Sequence, residues 1–401
     1  MKKVSFLCVA CLMAGVTAWA QERPERIDSV KVTATRIPVA LHSSARIVTL
    51  MDSLTIASAP AETVNDLLKY AVGVDVRQRG AMGMQTDISI RGGTYNQVAV
   101  LLDGINITDP QTGHNSFDFP VNICDIERIE VLEGPAARVY GTSSLLGAVN
   151  IVTRKAAGNA VNASLEGGSF GSFGATASVD VKHRGGFNGV SAGYQRSDGF
   201  SRNKAGGLNG DYAAIKAFWH GAHDFGNRDL SWQAGVSNKD FGSSTFYSPA
   251  YDDQFEHTLK TFTALQASVS AGRLHLRPAV YWNHGEDRFE LFRGAPQKYP
   301  FNYHRTNVVG LNLGGYVDTR EQHEAFAVAG VIDGRESRRG GKAPQGDMVL
   351  KEEVEGRAGK AADIDALRVV QLLSKVRADN PFVAGFRTKG GLSQAGIDTN
   401  A

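Results

Sequence analysis

Hydrophobic and polar residues are arranged in two different ways along the chain. From 61 to 155 the apolar residues form compact runs separated by glycine and polar turns, whereas from about 162 to 318 single apolar residues alternate with polar ones. Compact short runs are typical of buried strands, and alternation is typical of strands whose two faces meet different surroundings. The pattern predicts a small α+β domain followed by a series of antiparallel strands.

The compact pattern predicts one helix, four strands and one long polar loop. Residues 61–74 have apolar side chains at helical spacing. Strands are predicted at 86–93, 97–105, 126–134 and 147–155. The polar segment 106–120, with the sequence NITDPQTGHNSFDFP, separates the second strand from the third. A connection this long inside a compact domain is usually functional or disordered.

The first 20 residues have the features of a secretory signal peptide. Lys2 and Lys3 precede an apolar stretch that is too short to cross a bilayer, and the sequence AWA at 18–20 forms a cleavage site before Gln21. A lipoprotein signal that uses Cys11 remains an alternative. In either case the chain is expected to be exported.

The segment that follows the signal peptide is polar. Residues 21–60 show no periodicity apart from a short extended stretch at 28–36. Cleavage before Gln21 would leave Cys124 as the single cysteine. An exported chain with one cysteine forms no internal disulfide, so its stability is expected to come from packing and hydrogen bonding.

The alternating region predicts a transmembrane β-barrel wall. Between 162 and 318 we expect about eight strands of roughly ten residues each, joined by alternately long and short connections and with aromatic residues near their ends. A soluble β-sandwich also alternates and is the alternative reading. The signal peptide favours the barrel, because bacterial barrels of this kind are exported proteins.

The pattern changes again after about residue 319. Residues 334–347 have the composition of a charged linker, and 348–379 have an apolar stripe typical of a helix. Tryptophan and tyrosine are absent beyond 319. We therefore expect an atypical, partly helical tail that arises from a frameshift or a fusion, with a genuine periplasmic domain as the alternative.

Composition and motifs argue against nucleic-acid binding and against catalysis. The net charge is +2, and no cluster of lysine and arginine is combined with stacking aromatics. The sequence GGSFG at 167–171 matches a serine-hydrolase pattern, but that motif requires a following helix and an alternating strand follows here. No pair of carboxylates or cluster of cysteine and histidine offers another catalytic site. The chain is not expected to be an enzyme.

Several segments in a fixed order resemble TonB-dependent outer-membrane receptors. They are DSVKVTATR, LLKYAVGVDVRQRG, ISIRGG, VAVLLDGINITDP, IERIEVLEGPAARVYG and GAVNIVTRK. Together they cover the plug domain of that family, and the likeness extends from about 28 to 318. The finer resemblance is to the cobalamin-receptor branch, through DPQTGHNSFDFP.

The resemblance implies a plug domain, at 61–158, that folds inside a wide barrel begun by 159–318. It also implies a TonB box in the N-terminal extension. The box would comprise Asp28, Ser29, Val30, Lys31, Val32, Thr33 and Ala34. Such a segment pairs as an added strand with TonB, which is energised by its inner-membrane complex and the proton-motive force. The implied function is uptake of a scarce chelate (cobalamin, a ferric siderophore or haem) through the outer membrane of a Gram-negative cell. The alternatives are a receptor for a glycan or peptide that works with a surface lipoprotein, and a non-transporting remnant.

The resemblance also implies roles for individual residues. Arg91 and Arg128 correspond to plug arginines that pair with carboxylates of the barrel wall. Substrate contacts are expected at the tips of the plug, from Met84, Gln85, Asp109, Gln111, His114 and Asn115. Calcium in an early barrel loop would have only Asp198 and Asp211 as carboxylate ligands, fewer than calcium requires. No other metal or cofactor is expected.

Simple geometry predicts that the chain does not close its own barrel. A plug of this size is roughly 35 Å across, whereas eight or nine tilted strands close at a diameter of only roughly 18 Å. A barrel of 22 strands, about 44 Å wide, would hold the plug but needs well over 250 residues. Only 242 residues run from 160 to 401. We expect an incomplete barrel wall.

Overall fold

The computed structural model describes residues 31–32, 39–40, 47–78, 85–111, 113–134, 145–245, 247–318, 323–339 and 345–356. These residues form two bodies: a small mixed α+β domain, called the plug below, and a ten-stranded antiparallel sheet, called the wall. The predicted signal peptide and the apolar helical stripe beyond 356 lie outside the described residues. No described helix is both long and apolar enough to cross a membrane.

The plug consists of short strands and two short helices. Its elements are β1 Lys31–Val32, β2 Val39–Ala40, β3 Val48–Met51, α1 Ser53–Ser58, α2 Val64–Leu68, β4 Val74–Gln78, β5 Thr86–Ile90, β6 Val98–Leu102, β7 Ile105–Asn106, β8 Ile126–Glu133 and β9 Gly147–Thr153. A five-stranded sheet has the order β3-β8-β9-β6-β7, while β4 and β5 form a separate hairpin. Three single-turn 3₁₀ helices, Tyr95–Gln97, Gly113–Phe117 and Ile123–Asp125, lie in the connections.

The compact apolar runs become the buried centre of the plug sheet. Every residue of β6 and of β9 is buried, and these two strands run parallel in the middle of the sheet. Strand β8 pairs with β9 in the antiparallel direction. Helix α2 begins with a capping box, in which Thr63 and Asp66 bind each other's backbone N–H groups, and buries its apolar face in the core.

The four predicted plug strands are confirmed, but the description of 21–60 as irregular is wrong in part. Strand β3 and helix α1 both lie within that segment. The strand is only four residues long and gains its stability from pairing with β8, which periodicity along the chain does not reveal. The predicted helix at 61–74 is shorter than expected, because the chain turns at Gly73 in a left-handed conformation and continues as β4.

The wall is an up-and-down meander in which each strand pairs with the next. Its strands are β10 Ala160–Gly167, β11 Phe173–His183, β12 Gly186–Ser197, β13 Tyr212–Asp224, β14 Arg228–Ser244, β15 Gln254–Ala271, β16 Leu274–Glu290, β17 Asn302–Asp318, β18 His323–Arg339 and β19 Gln345–Gly356. The eight strands predicted before 318 are confirmed, although most are longer than expected. The GGSFG segment forms the turn between β10 and β11, which no helix follows.

Alternation along the wall separates an apolar face from a polar face. The outward face exposes large apolar side chains: Val161, Leu165, Val179, Val181, Val190, Ile215, Trp219, Leu265, Val280, Trp282, Val309 and Leu311. The inward face buries polar side chains against the plug, among them Asp180, Ser191 and Lys260. A β-sandwich would cover the apolar face with a second sheet. Here the exposed apolar face is that of a lipid-facing barrel wall.

Residues 334–339 and 345–356 lie in strands, so the prediction of a linker followed by a helix is wrong for these residues. Strand β18 pairs with β17 over seventeen residues, and β19 pairs with β18 over twelve. The unpaired edge of β17 offers a full row of main-chain donors and acceptors, so strand pairing overrides the weak local preference of a charged segment. Among the described residues no pairing joins β10 to β19, so the sheet stays open.

Candidate functional site

The two ends of the wall differ in the length of their connections. At one end, called the loop end, the connections are 168–172, 198–211, 245–253 and 291–301. At the other, called the turn end, they are 184–185, 225–227 and 272–273. Outer-membrane barrels have long extracellular loops and short periplasmic turns. The plug contacts the wall between these two ends through a series of buried polar groups.

Arg154, directly after β9, holds the plug near the turn end. Its Nη2 atom lies 2.8 Å from Oδ2 of Asp180 on β11, and its carbonyl accepts a hydrogen bond of 2.9 Å from Nε2 of His220 on β13. Asp103, in the turn after β6, accepts hydrogen bonds from Thr153 and from Gln233 of β14. Burial raises the pKa of Asp103, and the two bonds from Thr153 act against that rise.

Asn122 and Asp125 form a second contact with the wall. Ser191 of β12 donates to Oδ2 of Asp125 at 2.6 Å and accepts from Nδ2 of Asn122 at 2.8 Å. Burial raises the pKa of Asp125, while the bonds from Ser191 and Asn122 lower it. Gly193 makes room for this contact, because a Cβ atom at that position would lie 2.5 Å from Oδ1 of Asn122.

Asp118 forms a third buried contact between the plug and the wall. Ser237 of β14 donates to its Oδ1 at 2.9 Å, and Thr258 of β15 donates to its Oδ2 at 3.1 Å. Burial alone would raise the pKa of this carboxyl, but the positive charges of Lys239, Lys216 and Lys260 and the hydrogen bond from Ser237 together lower it. The carboxylate is therefore ionised at neutral pH and attracted to the wall.

Lys260 of β15 binds the polar plug loop at two carbonyl groups. Its Nζ atom donates to the carbonyl oxygen of Ile107 at 2.9 Å and to that of Asn115 at 3.2 Å. The side chain is buried, and Asn283 of β16 adds a bond of 3.1 Å to the same Ile107 oxygen. The loop is thus held by the wall at both of its ends.

Four of the predicted substrate-contact residues lie towards the loop end, where they meet the wall. The Tyr247 hydroxyl, in a long connection, lies 3.0 Å from Oε1 of Gln85 and 2.8 Å from Oε2 of Glu256, and these two acceptors share its one proton. Asp109 accepts a bond of 2.9 Å from Thr306 of β17. The Gln111 amide donates to Nδ1 of His304 at 2.9 Å, and Asn115 binds Lys260 through its carbonyl. Gln85 and Asp109 are buried by these contacts.

The described ion-pair partners of Arg91 and Arg128 are carboxylates of the plug, whereas the resemblance implied carboxylates of the wall. Arg91 pairs with Glu133 at 3.1 Å, and Arg128 pairs with Glu127 at 2.5 Å and with Glu130 at 3.0 Å. All three carboxylates belong to the plug. Glu130 lies two residues from Arg128 on the same strand face, so the partner is local. Arg154 and Asp180, in contrast, form a described ion pair between the plug and the wall.

The remaining predicted positions are placed only in part. Met84 lies outside the described residues, and nothing is described of the His114 side chain. Within the predicted TonB box only Lys31 and Val32 are described, as the strand β1 that pairs with β2 over two residues. Asp28, Ser29, Val30, Thr33 and Ala34 lie outside the described residues.

The two weak calcium ligands are bound to arginines. Asp198 lies 2.8 Å from Arg196, and Asp211 forms two bonds, of 2.6 and 2.9 Å, with Arg293 in the 291–301 connection. Nowhere in the described part of the chain do three acidic, histidine or cysteine residues gather in a metal-binding group. The Asp211–Arg293 pair instead ties two long connections together at the loop end.

Sequence reasoning missed the anchoring residues Asp118, Arg154 and Lys260. One sequence signal indicates this contact surface: glycines at inward-facing positions of the wall strands, which leave room for the backbone of the plug to approach. At Gly235 a Cβ atom would lie 2.4 Å from the carbonyl oxygen of Pro120 in the plug. The sequence indicates that the polar loop 106–120 is functional, but it does not show which strands, more than a hundred residues away, supply the partners of the acidic residues in this loop.

Comparison with known proteins agrees with this architecture. Residues 40–148 match the TonB-dependent receptor plug domain family. Over 255 residues the chain is 28% identical to the vitamin B12 transporter BtuB of Vibrio vulnificus strain CMCP6, an alignment that covers 61% of this chain and 41% of that protein. The chain thus spans less than half the length of this curated relative.

Solved structures of outer-membrane receptors share the fold. The pyoverdine outer membrane receptor FpvA of Pseudomonas aeruginosa PAO1 superposes with a TM-score of 0.59 at 14% identity, over 84% of this chain and 54% of the receptor. The copper transporter OprC gives a TM-score of 0.61 at 15% identity, over 74% of this chain and 47% of the transporter.

A plug domain bound by polar groups to the inner face of a lipid-facing β-wall defines a plugged receptor of the outer-membrane type. The plug match and the BtuB alignment agree with this class: residues 40–148 match the TonB-dependent receptor plug domain, and the chain is similar to receptors of that family in its plug and in part of its barrel wall.

Proposed function

We propose that the chain supplies the plug and part of the barrel wall of a receptor for TonB-dependent active uptake of a scarce chelate across the outer membrane of a Gram-negative cell. Cobalamin is the first candidate substrate, and a ferric siderophore or haem is the second. The proposed partner is TonB with its inner-membrane energising complex. The observation that carries the proposal is a plug anchored to the wall by discrete polar contacts and preceded by a short extended tether.

The polar anchoring of the plug suits a domain that must leave the wall and return. Contacts such as Asp118 with Ser237, or Arg154 with Asp180, exchange their protein partners for water when the plug moves. Each such hydrogen bond contributes only a modest net free energy, about 0.5–1.5 kcal/mol, because water replaces it. A force applied to the tether can therefore break the contacts in sequence.

The tether suits capture by strand addition. Strand β1 is held by a ladder of two residues with β2, Lys31 opposite Ala40 and Val32 opposite Val39. A ladder this short is marginal in water, so its main-chain groups are free to exchange this pairing for a strand of TonB. Alternating Val30 and Val32 would give one apolar face to the added strand.

Cobalamin is favoured because the chain aligns with a vitamin B12 transporter over 255 residues, more than the plug alone contains. The substrate is expected to bind at the loop end, near the polar loop 106–120 and the long connections. The predicted contacts Gln85, Asp109 and Gln111 already lie at this end and bind wall residues that a substrate could replace.

Uptake of labelled cyanocobalamin tests the proposal. A receptor that carries this plug and wall in a closed barrel would be expressed in a strain without its own cobalamin receptor, beside Val32→Pro, the matched Val32→Ala control and a strain without TonB. We expect uptake in the wild type and in Val32→Ala, and loss in Val32→Pro and without TonB, because proline removes a main-chain donor from the added strand.

Two results would overturn parts of the proposal. Uptake that is unchanged in Val32→Pro and without TonB would refute the TonB-dependent mechanism. Uptake of a ferric siderophore or haem, with none of cyanocobalamin, would move the substrate to the second candidate and leave the mechanism intact.

A further inference from the structure

Lys260, a residue of the wall, connects two parts of the polar plug loop through hydrogen bonds. Its ammonium group is 3% exposed and donates to the carbonyl oxygens of Ile107 and Asn115. Those two residues bracket the segment that contains the predicted contacts Asp109 and Gln111. Two of the three N–H donors of the ammonium group therefore form hydrogen bonds with the backbone of the same loop.

The two positions that Lys260 joins are connected to the plug core in different ways. Ile107 is part of the plug core, since it is fully buried and its N–H donates to the carbonyl of Val100 at 2.9 Å. Asn115 lies in the 3₁₀ helix Gly113–Phe117, whose last residue, Phe117, is buried in the same core cluster. The bond to Asn115 therefore fixes the loop from the wall side between two residues that the plug core holds, Ile107 and Phe117.

The strand that carries Lys260 is itself fixed against the plug. Thr258, two residues earlier on the same inward face of β15, donates to Asp118, and Phe262, two residues later, is buried in the plug core cluster. Asp109 and Asp118 lie close enough to act electrostatically on the ammonium group. The lysine is thus placed by neighbours on both sides and has little freedom to turn away.

We propose that Lys260 is a positioning residue for substrate binding, which holds the 107–115 loop in its binding conformation while the plug is seated. Displacement of the plug breaks both hydrogen bonds together, so the loop loses this brace only when the plug moves. Binding and release would then be linked through one wall side chain. The inference deepens the proposed function and rests on it only for the identity of the substrate.

Hydrogen exchange of the full chain in detergent micelles tests the brace without any substrate. The amides of Asp109 and Asp118 have acceptors within the loop, Ser116 Oγ and the Asn115 carbonyl, so their protection reports its order. In Lys260→Met these amides should exchange at least about tenfold faster, because charge-assisted hydrogen bonds are lost. Lys260→Arg should restore most of the protection.

Two further variants separate positioning from general loss of structure. Lys182→Met removes a wall lysine of β11 that donates to the carbonyl of Ala157 rather than to the loop, and it should leave the exchange unchanged. Asn283→Leu removes only the second bond to Ile107 and should speed exchange less than Lys260→Met. If Lys260→Met fails to fold, the arginine and Asn283 variants still decide the case.

Unchanged loop exchange in Lys260→Met, or an equal increase in Lys182→Met, would refute the brace. Equilibrium binding of cyanocobalamin then tests the link to function: affinity should fall at least about tenfold in Lys260→Met and recover in Lys260→Arg. A wild-type chain that shows no cyanocobalamin binding would refute that substrate, while the exchange result would still stand on its own. Affinity unchanged despite faster loop exchange would refute the positioning role.

Discussion

The seating of the plug can be measured through its only cysteine after the predicted signal peptide. Cys124 lies next to the Asn122–Asp125 contact and is half-buried. Burial, reinforced by the charge of Asp125, raises the pKa of its thiol to about 11. A thiol with so high a pKa reacts slowly with labelling reagents, because the thiolate is the reactive form. Movement of the plug off the wall would expose it and restore ordinary reactivity.

Asp118→Ala is the perturbation that should loosen the plug most. The carboxylate is buried and accepts bonds from Ser237 and Thr258. Each hydrogen bond to a charged group stabilises the seated plug by about 1.5–3 kcal/mol. The alanine variant loses both bonds, but it also avoids the free-energy cost of removing the carboxylate from water, which offsets part of this loss. A net loss of about 3 kcal/mol corresponds to roughly a hundredfold increase in the unseated population.

The assay is the rate of Cys124 labelling of the full chain in detergent at neutral pH. If opening is fast relative to labelling, the rate follows the unseated population, and Asp118→Ala should label roughly a hundredfold faster than wild type. Asp75→Ala is the matched control. Asp75 is an exposed plug aspartate paired with Arg77, and such pairs contribute little. A rate in Asp118→Ala within about threefold of the Asp75→Ala rate would refute the reasoning, because charged hydrogen bonds of this kind cannot be that weak.

Three further predictions follow from the same contacts. Because the pKa of Asp118 is lowered in the seated plug, its ionised carboxylate stabilises seating above the ordinary pKa of 3.8, and this stabilisation is lost as the pH falls through the lowered pKa. The plug should therefore stay seated at pH 5–7 and loosen below about 3.8, as followed by near-UV circular dichroism. Asp118→Asn should remove this pH dependence. Gly235→Val should speed Cys124 labelling, because its side chain would meet the Pro120 carbonyl, whereas Gly314→Val, with no atom within 3.6 Å of the new Cβ, should not. Arg293→Ala should increase hydrogen exchange in the 198–211 connection about fivefold, since a two-bond surface ion pair is worth about 1 kcal/mol, and unchanged exchange would contradict the tie between the loops.

Local pattern was sufficient to predict most elements of the fold. The run Val98–Leu102 is wholly apolar and became a fully buried central strand. Alternation at Ile215 and Trp219 against Phe218 and His220 correctly separated the outward face from the inward face of β13. These features depend on neighbours two to four residues apart, which the sequence shows directly.

The contacts that define the site could not be predicted in the same way. Asp118 and Ser237 are 119 residues apart, and Asp109 and Thr306 are 197 apart, so only the packing of plug on wall brings them together. The family resemblance assigned Arg128 a partner on the wall, but Glu130 on its own strand was nearer. The segment after 334 was misread because its charge suggested a linker, while pairing with an open sheet edge requires only main-chain groups.

The account depends on the plug being seated on the inward face of the wall, and one cross-linking measurement tests this directly. The Gln195 side chain of β12 donates to the Glu62 carbonyl at 2.9 Å, close to the exposed surface. Glu62→Cys with Gln195→Cys, treated with a short bismaleimide in outer-membrane preparations of the full chain, should form an intramolecular cross-link. The control pairs Glu62→Cys with Leu165→Cys on the outward face and should not. Cross-linking that is absent in the first pair, or equal in both, would contradict the seated plug.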